Sequence, residues 1–183
     1  MPRNSAEYRA YVTAFMQTRQ ISSVVDLGCG DFQVSRLMDW SEVSYVGVDA
    51  VAELVSRNNR LHATDNVRFV LADIIHDDLP PAELCLLRQV LQHLSNDDIA
   101  RVLAKLKQYR YVLVTDGLPP VEPEAKNVDK PTDQDNRWNE RYGSGLYLEA
   151  PPFGVEAQIV LEYPCSSGLE TYRTLLMENP ASA

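Results

Sequence analysis

The stretch Val24-Val25-Asp26-Leu27-Gly28-Cys29-Gly30-Asp31 begins with apolar, β-branched residues that predict a short buried strand. Gly28 and Gly30 then allow a sharp turn and the close approach of a ligand, because neither carries a Cβ. Apolar residues at helical spacing between Phe32 and Met38 predict a helix after the turn. The stretch therefore predicts a strand–turn–helix unit, whose helix N-terminus offers N–H groups to an anionic or carboxylate-bearing ligand.

The spacing of the glycines argues against a dinucleotide site. A dinucleotide fingerprint requires a third glycine three residues after Gly30, where this chain has Gln33. The Asp-x-Gly-x-Gly pattern that starts at Asp26 instead resembles the first motif of class I S-adenosylmethionine-dependent methyltransferases. Two glycines alone are also consistent with a strand–turn–helix connection that binds no ligand.

Composition and charge narrow the possible partners. The 183 residues suit a single domain, 1–183, and 45% hydrophobic with 23% charged residues is ordinary for a globular protein. The formal net charge of -9 disfavours electrostatic binding of nucleic acid, and it also disfavours an anionic membrane surface. We therefore predict a small-molecule substrate, with neither nucleic acid nor membrane as partner.

Cysteine and histidine usage predicts a cytoplasmic protein without a metal site. Cys29, Cys85 and Cys165 are scattered and odd in number, which favours a reducing compartment over a disulfide framework. The three histidines are scattered as well, so no zinc spacing is present. Residues 1–5 lack the apolar core of a signal peptide, and no apolar window has transmembrane length.

The first 20 residues predict an N-terminal helix from about Ala6 to Gln17, with Ser5 as its cap. Aromatic and aliphatic residues recur at three- and four-residue spacing and give the helix one apolar face. Two interpretations stay open. The face packs on a sheet, or Tyr8 or Tyr11 closes over a ligand, as N-terminal helices do in methyltransferases of this type.

An acidic residue follows the second predicted strand. The segment Ser44–Ala50 reads as this strand, with Asp49 at its end, about twenty positions beyond the glycine turn. A carboxylate at this place receives the ribose hydroxyls of an adenosine-containing ligand. Asp49 is alternatively the N-cap of a helix over 51–59.

The third predicted strand also ends in an acid. In Asn66–Ile74 a strand runs into Ala-Asp-Ile, which resembles the methyltransferase motif whose acid receives the adenine amine and whose next backbone N–H reaches a ring nitrogen. Asp73 and Ile74 match these two roles. A simple loop cap is the other role open to Asp73.

The fourth strand, Ala82–Arg88, leads into Gln89-Val90-Leu91-Gln92-His93-Leu94-Ser95. This run resembles the segment after the fourth strand of many small-molecule methyltransferases, except that Gln89 replaces the usual acid or asparagine. Next, Ser95 is expected to cap another helix. The resemblance places Arg88, Gln89, Gln92 and His93 near the methyl-transfer centre.

The resemblance also implies a full set of site residues. The implied cofactor contacts are Asp26, Gly28, Cys29, Gly30, Asp49, Ala50, Asp73, Ile74, Arg88 and Gln89. The acceptor contacts that we predict, from placement, are Tyr11, Gln92, Asp116 and Tyr142. His93 is the candidate general base because its ordinary pKa lies near neutral pH; the alternative is that it only packs.

The remaining segments complete a Rossmann-like, doubly wound α/β fold. Tyr109–Thr115 predicts a fifth strand, and five strands with intervening helices favour a parallel sheet. Segments 158–163 and 170–176 predict an antiparallel C-terminal hairpin, which makes a mostly parallel sheet of seven strands. Residues 118–153 predict a loop, which is either a mobile lid or a linker without a role. Its second part, 141–153, lacks the helix that the resemblance implies and is a candidate substrate wall.

The sequence motifs indicate the cofactor directly, whereas they narrow the methyl acceptor only by the motifs that are absent. The Asn/Asp-Pro-Pro-aromatic motif of adenine and glutamine methyltransferases is absent after the fourth strand, and Pro164-Cys165 follows a late strand rather than the fourth. A small molecule with a hydroxyl acceptor is therefore favoured. Two alternatives stay open: a non-catalytic protein that binds S-adenosylmethionine or a partner chain, and a nicotinamide-dependent oxidoreductase. The oligomeric state is not predicted.

Overall fold

Ten helices and strands organise the part of the chain that the computed structural model describes, residues 5–166 and 168–180. In chain order they are α1 (Ala6–Arg19), β1 (Ser23–Leu27), β2 (Ser44–Asp49), α2 (Ala52–His62), β3 (Val67–Leu71), β4 (Leu84–Arg88), α3 (Asn96–Leu106), β5 (Tyr111–Leu118), β6 (Gln158–Pro164) and β7 (Thr171–Glu178). The predicted N-terminal segment and hairpin turn include residues 1–4 and Ser167, which lie outside the described residues, as do residues 181–183.

All seven strands form one sheet in the order β3-β2-β1-β4-β5-β7-β6. The first five strands in this order are parallel, while β7 runs antiparallel to both β5 and β6. This confirms the predicted mixed sheet with its C-terminal hairpin. The carboxyl ends of β1, β2, β4 and β5 meet at one edge, which we name the carboxyl edge, and β7 begins there.

Buried side chains cover both faces of the sheet. Helix α1 contributes Tyr8, Val12, Phe15 and Met16 to the first face, where Val55 of α2 also packs. Helix α3 contributes Ile99, Val102 and Leu106 to the second face. No helix in the described ranges is long and apolar enough to cross a membrane.

The helix termini follow the sequence signals in part. Ser95 caps α3, since its side chain accepts a hydrogen bond from the Asp98 N–H. Ser5 occupies the N-cap position of α1, but its side chain makes no capping bond. The α1 helix ends at Gln20, whose φ of 54° is left-handed.

The prediction of a helix between Phe32 and Met38 is wrong. This segment contains only a 3-10 turn, Ser35–Leu37. Phe32 has a left-handed φ of 63°, which an α-helix does not tolerate, and its ring lies 4.9 Å from that of Phe69 and 5.2 Å from that of Tyr45. Phe32 thus packs in an aromatic cluster instead of on a helix face. The segment after the glycine turn therefore presents no α-helix N-terminus to that turn.

Residues 119–157 form a packed coil between β5 and β6, without a helix or strand. Asn127 is buried and bridges the coil: its side chain accepts from the Tyr147 N–H and donates to the carbonyls of Tyr147 and Pro151, each at 2.8 Å. The guanidinium of Arg137 is also buried and donates to the carbonyls of Leu94 and Val128. Side chains therefore satisfy the backbone here, in place of regular structure.

The Asn127 bridge gives a testable stability prediction. Asn127 has a left-handed φ of 55°, so Asn127→Gly removes the amide without adding backbone strain. Because buried backbone groups lose their partners, we expect the free energy of unfolding in urea to fall by about 2–3 kcal/mol. Glu124→Ala, at an exposed neighbour, should change it by less than about 0.5 kcal/mol. Equal values for both variants would contradict the bridging role.

Candidate active site

The carboxyl edge collects most of the predicted site residues. Gly28 and Gly30 follow β1, Asp49 ends β2, and Arg88 ends β4. Asp116 lies near the end of β5, which continues beyond the predicted Thr115 because residues 116–118 pair with β7. The parallel sheet thereby brings these residues to one cleft-forming edge.

The glycine turn directs its backbone amides inward. The N–H groups of Gly28 and Cys29 donate to the Val48 carbonyl at 2.8 and 3.0 Å, and the Gly30 N–H donates to Asp49 Oδ2 at 2.9 Å. Gly30 has a left-handed φ of 55°, and a Cβ added there would meet no atom within 4 Å. Three amides are therefore committed within the protein, which disfavours a pyrophosphate, while open space remains beside Gly30.

Asp49 is held in place but keeps capacity to accept hydrogen bonds. Its Oδ2 receives the Gly30 N–H, and its Oδ1 receives the Val51 N–H, each at 2.9 Å. Each carboxylate oxygen has more than one lone-pair position, so a ribose hydroxyl still finds an acceptor. Asp49 is half-buried and Ala50 is exposed. Asp49 is not the N-cap of α2, because Val51 occupies that position and no side chain caps the helix, so only the ligand-binding interpretation of Asp49 stays open.

Asp26 and Cys29 differ from the expected cofactor contacts, because their side chains are turned into the protein. Asp26 is buried, and it accepts hydrogen bonds from Ser35 Oγ and Tyr45 Oη, each at 2.6 Å. Burial raises the pKa of Asp26, whereas these two hydrogen bonds lower it. Burial also raises the pKa of the Cys29 thiol, so the thiol stays protonated at neutral pH. Both residues support the turn from within.

Asp73 lies in a tight turn two residues beyond β3. Its Oδ1 accepts from the Ile75 N–H at 2.8 Å, and its Oδ2 lies 2.8 Å from His76 Nδ1. The hydrogen bond with His76 is the main reason why the pKa of Asp73 is lowered. The carboxylate is therefore ionised and partly committed to its own loop, while the Ile74 side chain is buried beside it.

Arg88 sits between two aromatic rings at the carboxyl edge. Its guanidinium carbon lies 5.5 Å from the Tyr8 ring centroid and 5.3 Å from that of Tyr172. Arg88 Nη1 donates to Gln89 Oε1 at 3.0 Å, while the buried Nε has no hydrogen-bond partner among the described residues. Gln89 has a left-handed φ of 57°. A buried, unpaired guanidinium N–H suits an incoming carboxylate.

Tyr11 does not join these residues. It lies beside Arg19, Gln158 and Val160, at the start of β6 and therefore at the edge opposite the carboxyl edge. Tyr8 is one helical turn earlier in α1 and faces Arg88 instead. The predicted acceptor contact from Tyr11 is corrected accordingly: Tyr8 is the aromatic residue of α1 that reaches the site.

Gln92 links the fourth and fifth strands beside His93. Gln92 is buried, and its Oε1 accepts from the Gly117 N–H at 3.2 Å. Gln92 Nε2 lies 3.3 Å from His93 Nε2. Burial lowers the pKa of His93 below its ordinary value, so the imidazole is neutral at pH 7. Because Gln92 Nε2 is a donor, His93 Nε2 carries the lone pair and the buried Nδ1 carries the hydrogen of the neutral ring. Hydrogen bonds with the backbone of Asp135 and Gln134 oppose the lowering of the His93 pKa.

The packed coil encloses His93 from the other side. The His93 carbonyl accepts from Lys130 Nζ at 2.9 Å and from the Asp133 N–H at 3.1 Å. Lys130 Nζ lies 5.8 Å from the Tyr142 ring, and the Tyr142 hydroxyl is buried without a partner in the described ranges. The coil thus brings Tyr142 into the neighbourhood of His93 through Lys130, which contacts both residues.

Asp116 is a buried carboxylate without a direct partner. It is 6% exposed, and neither carboxylate oxygen has a hydrogen-bond partner among the described residues. Burial raises the pKa of Asp116 to about 7, against the smaller lowering effects of nearby Gln92 backbone and of Arg137. Asp116 therefore changes its charge near neutral pH, which is typical of a group at a functional site.

Glu170, Tyr172 and Gly117 also lie at this edge, and sequence reasoning did not select them. Glu170 precedes β7, and Gly117 lies in β5 beside Gln92. The sequence signal that could have found Glu170 is an acidic residue directly before a strand. Placing Glu170 at the carboxyl edge also requires knowing that β7 runs antiparallel to β5.

The residues present fit S-adenosylmethionine. Asp49 offers acceptors for ribose hydroxyls, and the unpaired Arg88 Nε suits the carboxylate of the amino-acid part. The open face of Gly30 leaves space between them. No cluster of three or more His, Cys, Asp or Glu side chains in the described ranges suits a metal ion.

The buried Asp116 carboxyl gives a pH-dependent stability prediction. Its pKa of about 7 in the folded protein lies above the ordinary 3.8, so folding takes up a proton between these values and stability falls as pH rises through them. The Asp116→Asn variant has no carboxyl group here, so its stability does not fall in this way. In urea titrations, the free energy of unfolding of Asp116→Asn minus that of the native protein should therefore grow by up to about 1.4 kcal/mol per pH unit between pH 4 and 7. The control is Asp65→Asn, at an exposed position. A difference in the free energy of unfolding between Asp116→Asn and the native protein that does not change with pH would contradict the raised pKa of Asp116.

Comparison with known proteins agrees with the observed fold. Residues 24–112 match the family model described as a methyltransferase domain. The N-terminal domain of EvdMO1, crystallised in the presence of SAH and D-fucose, superposes with a TM-score of 0.66 at 15% identity, over 96% of this chain and 84% of that chain. The methyltransferase domain of bacterial CtHen1 superposes with a TM-score of 0.66 at 14% identity, over 96% and 99%.

A third similar structure is the plantazolicin methyltransferase BpumL in complex with a triazolic desmethylPZN analog and SAH. It has a TM-score of 0.54 at 17% identity, over 64% of this chain and 48% of that chain. No curated protein matches the sequence. Residues 24–112 thus match a methyltransferase domain, and the described part of the chain has the fold of these methyltransferase structures.

Proposed function

We propose that this protein transfers the methyl group of S-adenosylmethionine to a hydroxyl oxygen of a small molecule. The observation that carries the hydroxyl assignment is His93, a neutral imidazole at the carboxyl edge whose Nε2 carries the lone pair, since the Gln92 Nε2 donor lies 3.3 Å from it. A hydroxyl acceptor has to lose its proton during methyl transfer, so it needs such a base more than an uncharged amine does.

The cofactor would be held by residues from four strand ends. Asp49 would receive the ribose hydroxyls, Arg88 the carboxylate, and Gly30 would allow close approach. Asp73, with the backbone at Ile74, would bind the adenine edge. Gln89 would support this arrangement through its hydrogen bond with Arg88. When bound, the cofactor supplies a methyl group that is already activated on a sulfonium, so the protein contributes mainly alignment and proton handling.

His93 would take the proton of the acceptor hydroxyl on Nε2, its unprotonated ring nitrogen, as the oxygen attacks the methyl group. The Lys130 ammonium and the Asp133 N–H hold the His93 backbone, and the Gln92 side chain lies against the ring, so the imidazole is oriented before the acceptor arrives. Asp116 and Tyr142 would contact the acceptor, because each carries a buried oxygen without a partner in the described part of the chain.

A small acceptor is supported by charge and by one structural relative. The net charge of -9 opposes a polyanion, and Lys130 of the packed coil bonds to the His93 carbonyl, so the coil lies next to the proposed base. The structure of the EvdMO1 domain was obtained with a sugar, D-fucose, in addition to SAH. At 15% identity this likeness supports the fold, and the sugar is a guide for choosing test compounds.

The cofactor assignment predicts the behaviour of an Asp49 variant. Asp49→Ala removes a carboxyl group that accepts hydrogen bonds, so calorimetric titration with S-adenosylhomocysteine should show binding weakened by about 10- to 150-fold. Asp78→Ala, exposed and outside the site, should bind like the native protein. The thermal midpoint of both variants checks that they are folded. An unchanged affinity in Asp49→Ala would contradict the ribose role.

The base assignment predicts a pH profile. Methyl transfer requires neutral His93, so kcat/KM should rise with pH through a midpoint below 6.5 and then stay level. His93→Ala should lose about 100-fold or more in kcat, whereas His62→Ala on α2 should keep it. A midpoint near 7 that disappears in Asp116→Asn would assign the base to Asp116 instead.

A further inference from the structure

Glu170 places a carboxylate at the carboxyl edge next to the proposed acceptor site. It precedes β7 directly, and its backbone carbonyl accepts from the Cys165 N–H at 2.9 Å, which closes the hairpin turn. Glu170 Oε1 accepts from the Tyr172 hydroxyl at 2.8 Å. Glu170 Oε2 is buried and has no hydrogen-bond partner among the described residues. One oxygen is thus fixed by the protein and the other is unused.

Gly117 makes room for this carboxylate. A Cβ on Gly117 would overlap Glu170 Oε2, and it would come within 3.4 Å of Gln92 Oε1. Glu170 and Gln92 therefore meet over the same glycine in β5. Because Gln92 also lies against His93, the Gln92 side chain lies between the unused oxygen of Glu170 and the proposed base.

We propose that Glu170 Oε2 accepts a hydrogen bond from a second hydroxyl group of the acceptor, so that the substrate is an uncharged compound with at least two hydroxyls, of the sugar or polyol class. This rests on the proposed function, since it adds a binding contact to the same site. One hydroxyl faces His93 and becomes methylated. Another is held by Glu170, whose orientation Tyr172 fixes.

The charges around the pocket favour a neutral acceptor over an anionic one. Glu170 and Asp116 would repel a phosphate or carboxylate on the acceptor. Arg88, whose guanidinium carbon lies 5.3 Å from the centroid of the Tyr172 ring, is assigned to the carboxylate of the cofactor and would be neutralised by it. An unpaired, buried carboxylate oxygen is costly, and a substrate hydroxyl would satisfy it.

The test measures methyl transfer from labelled S-adenosylmethionine to four compounds at millimolar concentration. D-fucose and D-glucose are neutral polyols, D-glucose 6-phosphate is their anionic counterpart, and phenol carries a single hydroxyl. We expect the neutral sugars to be methylated in preference to the phosphate and to phenol. In Glu170→Gln, kcat/KM for the sugars should fall at least 10-fold, mainly through KM, while the affinity for S-adenosylhomocysteine stays unchanged.

Two further variants separate the position of the carboxylate from its charge. Gly117→Ala keeps Glu170 but displaces its carboxylate, and the absence of a left-handed φ at Gly117 means that alanine suits the backbone. It should lose as much activity as Glu170→Gln. Tyr172→Phe removes only the orienting hydroxyl and should lose less. Glu156→Gln, an exposed glutamate just before β6 at the opposite edge of the sheet, should match the native protein.

The possible results distinguish this inference from the proposed function. If phenol or the sugar phosphate is methylated as well as the neutral sugars, or if Glu170→Gln retains native kcat/KM, hydroxyl methylation stands and the role of Glu170 is overturned. If the native protein binds S-adenosylhomocysteine but methylates none of the four compounds, the polyol class is overturned. If it does not bind the cofactor product either, the proposed function itself fails.

Discussion

The bond between the Gly30 N–H and Asp49 ties the ends of β1 and β2 into one unit, and the site depends on it. Together with the two amides that reach the Val48 carbonyl, it turns the glycine segment toward β2. The turn is therefore a support for Asp49 more than an anion cradle. The absence of an α-helix after the turn agrees with this, because there is no helix N-terminus whose dipole would stabilise a phosphate. An adenosine ligand without a pyrophosphate suits such a turn.

The reversal of β7 determines the acceptor side in a similar way. Since β7 is antiparallel to β5, its first residues lie at the carboxyl edge rather than at the opposite one. Glu170 and Tyr172 thereby join residues that follow β4 and β5. The same hairpin carries Arg173, which pairs with Glu149 of the packed coil and with Glu162 of β6. The hairpin thus connects the coil to the sheet and also supplies polar groups to the site.

The sequence predicted the sheet well because its strands are short, continuous apolar runs with acids or glycines at their ends. It predicted α1 and α3 because their apolar residues repeat at helical spacing and pack on the sheet. It failed at Phe32, where the same spacing fills an aromatic cluster around a left-handed residue. It selected Tyr11 instead of Tyr8 because two residues on one helical face are equivalent until the tilt of the helix is known. Glu170 needed the register of two antiparallel strands, which local patterns do not contain.

The coil between β5 and β6 shows how irregular backbone can still fix the position of a residue such as His93. Its buried cation, Arg137, donates to the carbonyls of Leu94 and Val128, so it joins the coil to the segment that follows His93. The same cation favours the ionised form of Asp116, while burial favours the protonated form. A helix in this place would satisfy its own backbone and would not bond to residues 93–98. The coil's need for outside partners is therefore what holds His93 through its carbonyl.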